Sequence, residues 1–427
     1  MKYETAIMFP MEKTILKEIV LDQKNKKLPV DFVRRDIEMK IKKDKGDHIV
    51  IISGIRRCGK STLLNSLRQA RNESDYFLDF DDERLIDFSV DDFQLLYEVF
   101  LELFGEQRVF YFDEVQNIFG WERFIRRLHD SGNKVYITGS NASMLSRELG
   151  THLTGRFIET CLYPFSFAEF LKFKEFKYNH NLHLNTHEKI KLKRMFNEYL
   201  QFGGFPSYVK TGDNDYLKSL YESIIYRDII VRYKLPQEKP LKEVVHYCAS
   251  NIGKEISFNS LKHVAGIKSS TSIKEYFEYL ENSFFVFLLN RFDYSLRKQI
   301  YFNKKVYFSD TAIANNIGFH FSEDFGRVLE NTVFLQLKRH GKEMYFHKNK
   351  AECDFLVKER NKIVMAMQIS RSLKNKETRD REIFGLIDAI KEYKLKSGLI
   401  LTEDEEGAIK EEGYNIKVMP VWKWLLT

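Results

Sequence analysis

Two glycines, a lysine and a hydroxyl stand at a telling spacing in Gly54-Ile-Arg-Arg-Cys-Gly59-Lys60-Ser61. Glycines let a backbone curl until its N–H groups point at phosphate oxygens. A helix N-terminus directly behind such a loop favours anions. Lys60 is placed to reach β- and γ-phosphates, and Ser61 to ligate Mg²⁺. The residues expected around a nucleotide are Gly54, Ile55, Arg56, Arg57, Cys58, Gly59, Lys60, Ser61 and Thr62. A second group follows about fifty residues on. Asp113 is positioned to hold the metal, and Glu114 to polarise an attacking water as a general base. Ser140 and Asn141 are the polar pair that could lie between these acids and a γ-phosphate; a helix N-cap is the competing reading.

Chemistry at that spacing requires strands that end together. His48–Ser53 is apolar and β-branched, and Thr62–Leu67 continues as a helical pattern. Strands are expected at 49–53, 76–80, 108–112, 134–138 and 158–162, alternating with helices. That alternation predicts an α/β domain with a parallel sheet. The acidic stretch Asp81–Arg84 reads equally as a wall of the nucleotide site, a subunit contact or an exposed loop.

Domains are expected at 1–165 (nucleotide binding, with a charged helical lead-in over 1–47 holding Arg34 and Arg35), 166–235 (a helical lid), 236–300 and 301–427. The third carries a helix near 257–264, a second helix after Ser269, a strand at 284–289 and a basic turn at Ser295–Lys298. This is the pattern of a winged helix. Lys268, Ser270, Thr271 and Lys274 suit a double-stranded DNA groove. Glu275, Glu278 and Glu281 do not, and a protein-contact role fits equally. The fourth returns to α/β character. Glu330, Asp354 and Gln368 outline a restriction-endonuclease-like core, but Ser370 stands where the lysine of such a nuclease would fall. An inactive nuclease-like domain is the expectation. His180, His183 and His187 are spaced as metal ligands could be, although a polar loop is the simpler reading.

Bulk composition narrows the class. Length alone, at 427 residues, sets a soft prior of about three domains of about 150 residues, which the motifs divide into the four segments above. Hydrophobic content of 43% excludes a disordered chain. The net charge of +7 is compatible with nucleic acid without a basic tail. Four scattered cysteines give neither a disulfide nor a zinc framework and suggest a reducing, cytoplasmic setting. Lys2, Glu4, Glu12 and Lys13 do not read as a secretory leader, and Phe284–Leu289 is too short to span a bilayer.

The chain resembles the bacterial and archaeal ATPases that join an AAA-type domain to an uncharacterised C-terminal domain. The marks are Gly54–Ser61, Asp79–Arg84, Phe112–Gln116, Thr138–Asn141, Leu153–Arg156 and Tyr163–Glu169. Gly203–Pro206, Tyr226–Ile230, Tyr307–Thr311 and Glu330-Asn331 complete them. The resemblance implies Mg²⁺-dependent ATP hydrolysis, and that Arg156 acts as an arginine finger or γ-phosphate sensor. A homo-oligomer, an unknown protein partner and no membrane complete the expectation. The leading reading is an ATPase that remodels a bound partner, with DNA as one candidate. A nucleotide switch and an ATP-regulated nuclease against foreign DNA are the alternatives.

Overall fold

Ile49–Ser53 (β1) is buried at every position, as an unbroken β-branched run requires when both faces of a sheet are covered. Tyr76–Asp79 (β2), Val109–Asp113 (β3), Lys134–Gly139 (β4) and Phe157–Cys161 (β5) join it. The order is β2-β3-β4-β1-β5, with every pair parallel. Lys13–Lys24 (α1), Asp36–Lys43 (α2), Lys60–Arg71 (α3), Phe93–Phe104 (α4) and Trp121–Asp130 (α5) accompany the sheet. Much of the core is aromatic: Phe93 and Phe124 stack at 4.5 Å, and Tyr76 and Phe100 at 4.7 Å. Such pairs add roughly 0.5–1.5 kcal/mol each beyond area burial.

This computed structural model describes all residues except 1–10, 25–26, 44–45, 72–73, 142–152, 154, 179–184 and 319–324. The chain divides into two units, Met1–Leu162 and Tyr163–Thr427. The division falls close to the expected end of the nucleotide-binding domain at 165.

The second unit opens with helices. Phe167–Phe173 starts on a capping box between Ser166 and Glu169, and Thr186–Phe202 on one between Asn185 and Glu188. Asn214–Ser223 runs on as a π-helix over Ile224–Val231. Next come helix Lys239–Ala249, strand Glu255–Ile256 (β6), helices Phe258–Val264 and Ser270–Asn282, strand Val286–Asn290 (β7), helix Leu296–Tyr301 and strand Lys304–Phe308 (β8). The three strands form one antiparallel sheet, ordered β6-β8-β7. Two expectations need correcting. The basic turn at 295–298 lies mostly within a short helix. The domain boundary at 300 cuts this sheet, because its middle strand is β8.

Helix Phe325–Arg339 then leads to Glu343–Lys348 (β9), Glu352–Glu359 (β10), Lys362–Ile369 (β11), helix Lys376–Glu392, Ser397–Thr402 (β12), Gly407–Glu411 (β13) and Tyr414–Pro420 (β14). Their sheet is ordered β13-β14-β12-β11-β10-β9.

A buried junction ties the second unit together. The Gly204 N–H donates to Asp310 Oδ2 at 2.6 Å, and the Phe165 N–H to Gly204 O at 2.7 Å. Arg339 Nη2 donates to the carbonyls of Pro164 (3.0 Å) and Phe165 (3.1 Å). A Cβ on Gly204 would lie 2.4 Å from Phe165 O, so only glycine fits. Three of the sequence marks above, around 165, 204 and 310, therefore meet at one place.

Candidate nucleotide-binding site

In the parallel sheet β4 lies between β1 and β3, so Ser53, Asp113 and Gly139 end at one edge. Carboxyl ends of strands are where open α/β sheets take ligands. The phosphate loop leaves β1 there. Gly54 (φ 148°), Arg57 (65°) and Gly59 (105°) hold it in a left-handed curl. A Cβ on Gly54 would lie 2.1 Å from Leu162 O. Cys58 turns its buried thiol to that same carbonyl at 3.3 Å, and burial pushes the thiol pKa up. The Cys58 N–H donates to the Ile55 carbonyl at 3.3 Å, so the residue helps to hold the loop's own shape. Ile55 is buried, Arg56 half-buried and Arg57 exposed. Ser61 and Thr62 open α3, half-buried behind Lys60.

Lys60 is buried, with Nζ 3.2 Å from Glu114 Oε1 and 3.4 Å from the Ile55 carbonyl. Burial works against its charge, but Glu114 outweighs it and the lysine pKa is raised. Burial likewise opposes the Glu114 carboxylate, while Lys60 and then Gln116 bring its pKa below the ordinary value. Glu114 has a left-handed backbone (φ 51°), uncommon for a residue with a side chain. Its N–H donates to Thr138 Oγ1 at 2.9 Å, and the Thr138 hydroxyl donates to Asp113 Oδ1. Gln116 Nε2 donates to Glu114 Oε2. The two acids are therefore fixed from β4 and from the turn behind them.

Asp113 is fully buried, and Asp79 faces it in register on β2. Burial, Asp79 and Glu114 push Asp113 up to about 7. The hydroxyls of Thr138 and Ser61 pull the other way. Asp113 Oδ2 and Ser140 Oγ are buried without a hydrogen-bond partner, as are Ser53 Oγ and Gln116 Oε1. Buried polar atoms are nearly always paired, so orphans gathered at strand ends mark a place for a polar ligand. A carboxylate beside a serine hydroxyl is the oxygen donor set that a hard cation such as Mg²⁺ takes, and the residues fit it. Asn141 is buried next to Ser140. The helix that Asn141 was alternatively expected to cap lies outside the described residues.

Arg156 sits elsewhere. It precedes β5, its carbonyl accepts from Ile49 N at 2.8 Å, and its Nε is 3.1 Å from Asp130 Oδ1. That is the amino end of β1, a strand's length (about 15 Å) from the phosphate loop. The structure does not bring Arg156 to the other site residues of its own chain.

Sequence reasoning missed Arg35, which the charged lead-in disguised as a solvated residue. It is buried, and its Nη1 donates to Cys58 O at 2.9 Å, bracing the loop from behind. Thr138 and Gln116 were quoted only as parts of motifs. The Asp81–Arg84 loop is an exposed turn in which Asp82 accepts from Arg84 and Gln23. Of the histidines, His180 and His183 lie outside the described residues and His187 sits on a helix. Among the described residues no group of three or more His, Cys, Asp or Glu is arranged to hold a metal. Glu330 on helix Phe325–Arg339 and Asp354 on β10 do converge, but on a lysine. Gln368 is engaged at both ends, accepting from Asp354 N and donating to Glu382, so it is not free to ligate a metal.

Comparison with known proteins agrees with this geometry. Residues 46–171 match an AAA domain. Residues 193–323 and 325–424 match two domains of unknown function, DUF8612 and DUF4143. An uncharacterised protein of Methanocaldococcus jannaschii is 34% identical over 436 residues, covering 97% of this chain and 96% of that protein. One of Haemophilus influenzae is 30% identical over 334 residues, covering 74% and 81%. The chain belongs to this bacterial and archaeal AAA-type ATPase family. The first of the two C-terminal matches in this AAA-type protein runs past β8, again placing that strand with the sheet before it. Domain III of the Thermotoga maritima replication initiation protein DnaA is 17% identical, covering 44% of this chain and 93% of that one, with a TM-score of 0.26. The Thermotoga maritima RuvB Holliday junction branch migration motor is 13% identical, covering 64% and 93%, with a TM-score of 0.28. Among the described residues, no helix is long and apolar enough to cross a membrane.

Proposed function

We propose that this AAA-type protein hydrolyses ATP and couples hydrolysis to rearrangement of a bound partner in the cytoplasm. The observation that carries the reading is the meeting of Lys60, Asp113, Glu114 and the unpartnered Ser140 hydroxyl at one sheet edge beneath a left-handed glycine loop. Backbone N–H groups of 54–61 would cradle the phosphates, and Lys60 would leave Glu114 for the β/γ-phosphate oxygens. Glu114, freed, orients a water and accepts its proton. Ser140 and Asn141 hold the γ-phosphate oxygens. Mg²⁺, held by the Ser61 hydroxyl and the Asp113 carboxylate, would neutralise charge on the phosphates. Arg156 belongs to this reading only as a group supplied to the site of a neighbouring copy. Lys60→Ala is the direct test: steady-state turnover should vanish and equilibrium nucleotide affinity should fall. Turnover at the parent rate would end the ATPase reading.

The partner surface we propose is the helix–strand module of 239–308, read as a winged helix. Its element order and β6-β8-β7 sheet support that reading. Exposed Lys268, Thr271 and Lys274 at the start of helix Ser270–Asn282 favour double-stranded DNA. A protein partner is favoured by a different observation. The short helix Leu296–Tyr301 and its flank expose Tyr294, Leu296, Ile300 and Tyr301, each at least two-thirds accessible. Affinity for a DNA duplex that falls steeply with salt, and falls again in Lys268→Ala/Lys274→Ala, supports DNA. Salt-independent capture of a protein, lost in Tyr301→Ser, supports the other.

A further inference from the structure

The C-terminal sheet contains a second charged centre, independent of the nucleotide reading. Lys305 on β8 is 1% exposed. Its Nζ lies 2.8 Å from Asp354 Oδ1, 2.8 Å from Glu352 Oε1 and 3.1 Å from Glu330 Oε1. The acids come from β10 and from helix Phe325–Arg339, and the lysine from the three-stranded sheet. Three carboxylate oxygens converge on one cation, and oxygen donors of this kind are what hard divalent cations also take. Here an ammonium group sits at that point.

The surroundings are closed as well as charged. Asp354 Oδ2 accepts from the Ile369 N–H at 2.9 Å, so both oxygens of this carboxylate are used. The Tyr307 hydroxyl donates to Glu330 Oε1 at 2.6 Å. Gly253, at φ 71°, packs so tightly that a Cβ there would lie 2.6 Å from Glu330 Oε2. Its N–H is tied to the Val306 carbonyl at 2.9 Å. A turn of the chain therefore packs directly over Glu330. Burial opposes the Lys305 charge, but Asp354, Glu330, Tyr307 and Glu352 together keep the lysine pKa well above its ordinary value.

We propose that Lys305 is the resident cation of this carboxylate centre, excluding divalent metal from it and fastening the three-stranded sheet to the C-terminal sheet. The nuclease-like outline is thus occupied by the protein's own charge. The position where such a nuclease would carry its lysine holds Ser370, and the one lysine at the acids is tied up by them.

The test uses the full chain without nucleotide, in an Asp113→Asn background so that the first site adds no metal binding. The readouts are thermal unfolding with and without Mn²⁺, and Mn²⁺ titration followed by electron paramagnetic resonance. The background chain should show no Mn²⁺ response. Lys305→Met leaves buried carboxylates uncompensated, so it should unfold at lower temperature and regain stability with Mn²⁺. It should bind one Mn²⁺ at least roughly tenfold more tightly than the background chain. Lys305→Met/Glu330→Gln/Asp354→Asn should fold with or without Mn²⁺ and bind none. Mn²⁺ binding by the background chain that Asp354→Asn removes would overturn the proposal. So would a Lys305→Met chain, whether destabilised or as stable as its background, that ignores Mn²⁺. If Lys305→Met does not fold, the triple variant decides. Folding there supports charge compensation, and failure there overturns it by showing that the lysine stem was needed only for packing.

Discussion

The Nζ of Lys60 rests 3.2 Å from Oε1 of Glu114, so the residue suited to phosphate is held by the residue suited to water. Each offsets the other's charge in a largely buried place. On the proposed reading, a triphosphate entering the loop would compete for Lys60 and so release the base. Binding and activation of the base would then, on that reading, be one event.

Glu114→Gln should separate the two. ATP should still bind, with affinity equal to or above that of the parent because Lys60 is no longer tied to a carboxylate. Turnover should drop by about 10²–10⁴, the usual worth of a positioned base. Equilibrium binding and single-turnover hydrolysis check this; equal losses in both would make Glu114 a structural residue.

For Arg156 the expectation is dependence on neighbours. Activity per chain should rise with protein concentration, and mixing Arg156→Ala with Lys60→Ala chains should restore some sites. An arginine supplied in trans is worth about 10³–10⁵ in rate. A rate indifferent to concentration, without rescue on mixing, would reduce Arg156 to the ion pair it makes with Asp130.

Asp310 gives a pH signature. Its carboxyl is fully buried, and burial pushes it up to about 6 against the pull of the Gly204, Ile313 and Ala312 N–H groups. A carboxyl whose folded pKa is raised stabilises the fold when protonated. That contribution is complete below pH 4 and is lost as pH rises through 6. The shift corresponds to about 3 kcal/mol. Asp310→Asn removes the titration and leaves a donor facing N–H groups. It should be destabilised at pH 4, with the gap to the parent narrowing by pH 7. Urea unfolding at both pH values checks it, and parallel profiles would sink it.

Clean protein should not cut plasmid or linear DNA with Mg²⁺ or Mn²⁺, with or without ATP. The acids that would hold the metal already hold Lys305, Ser370 bonds to the Ser372 carbonyl, and Lys374 is exposed. A gel assay suffices. Metal-dependent cleavage that Asp354→Ala abolishes would promote the nuclease alternative.

The strands of the first sheet could be read from sequence to within a residue or two at each end. Apolar runs such as Ile49–Ile52 and Phe110–Phe112 fit nothing but a covered parallel sheet. The phosphate loop and the Asp113-Glu114 pair were legible because their chemistry fixes local spacing. Arg35, Thr138 and Lys305 were not, since each acts across 23 to 49 residues through a contact that no periodicity records. The boundary at 300 went astray for a similar reason. Strand pairing is long-range, and nothing in Lys304–Phe308 announces that it completes a sheet begun at Glu255.

That strand limits how such chains can recombine. An exchange of C-terminal domains between relatives would have to cross after Phe308, carrying Lys305 with the front part. The incoming domain would then have to bring acids matching Glu330, Glu352 and Asp354. A donor lacking them would bury a lone ammonium, at a penalty of several kcal/mol. On the proposed reading the charge cluster would therefore act as a compatibility code between the front and back parts of the second unit.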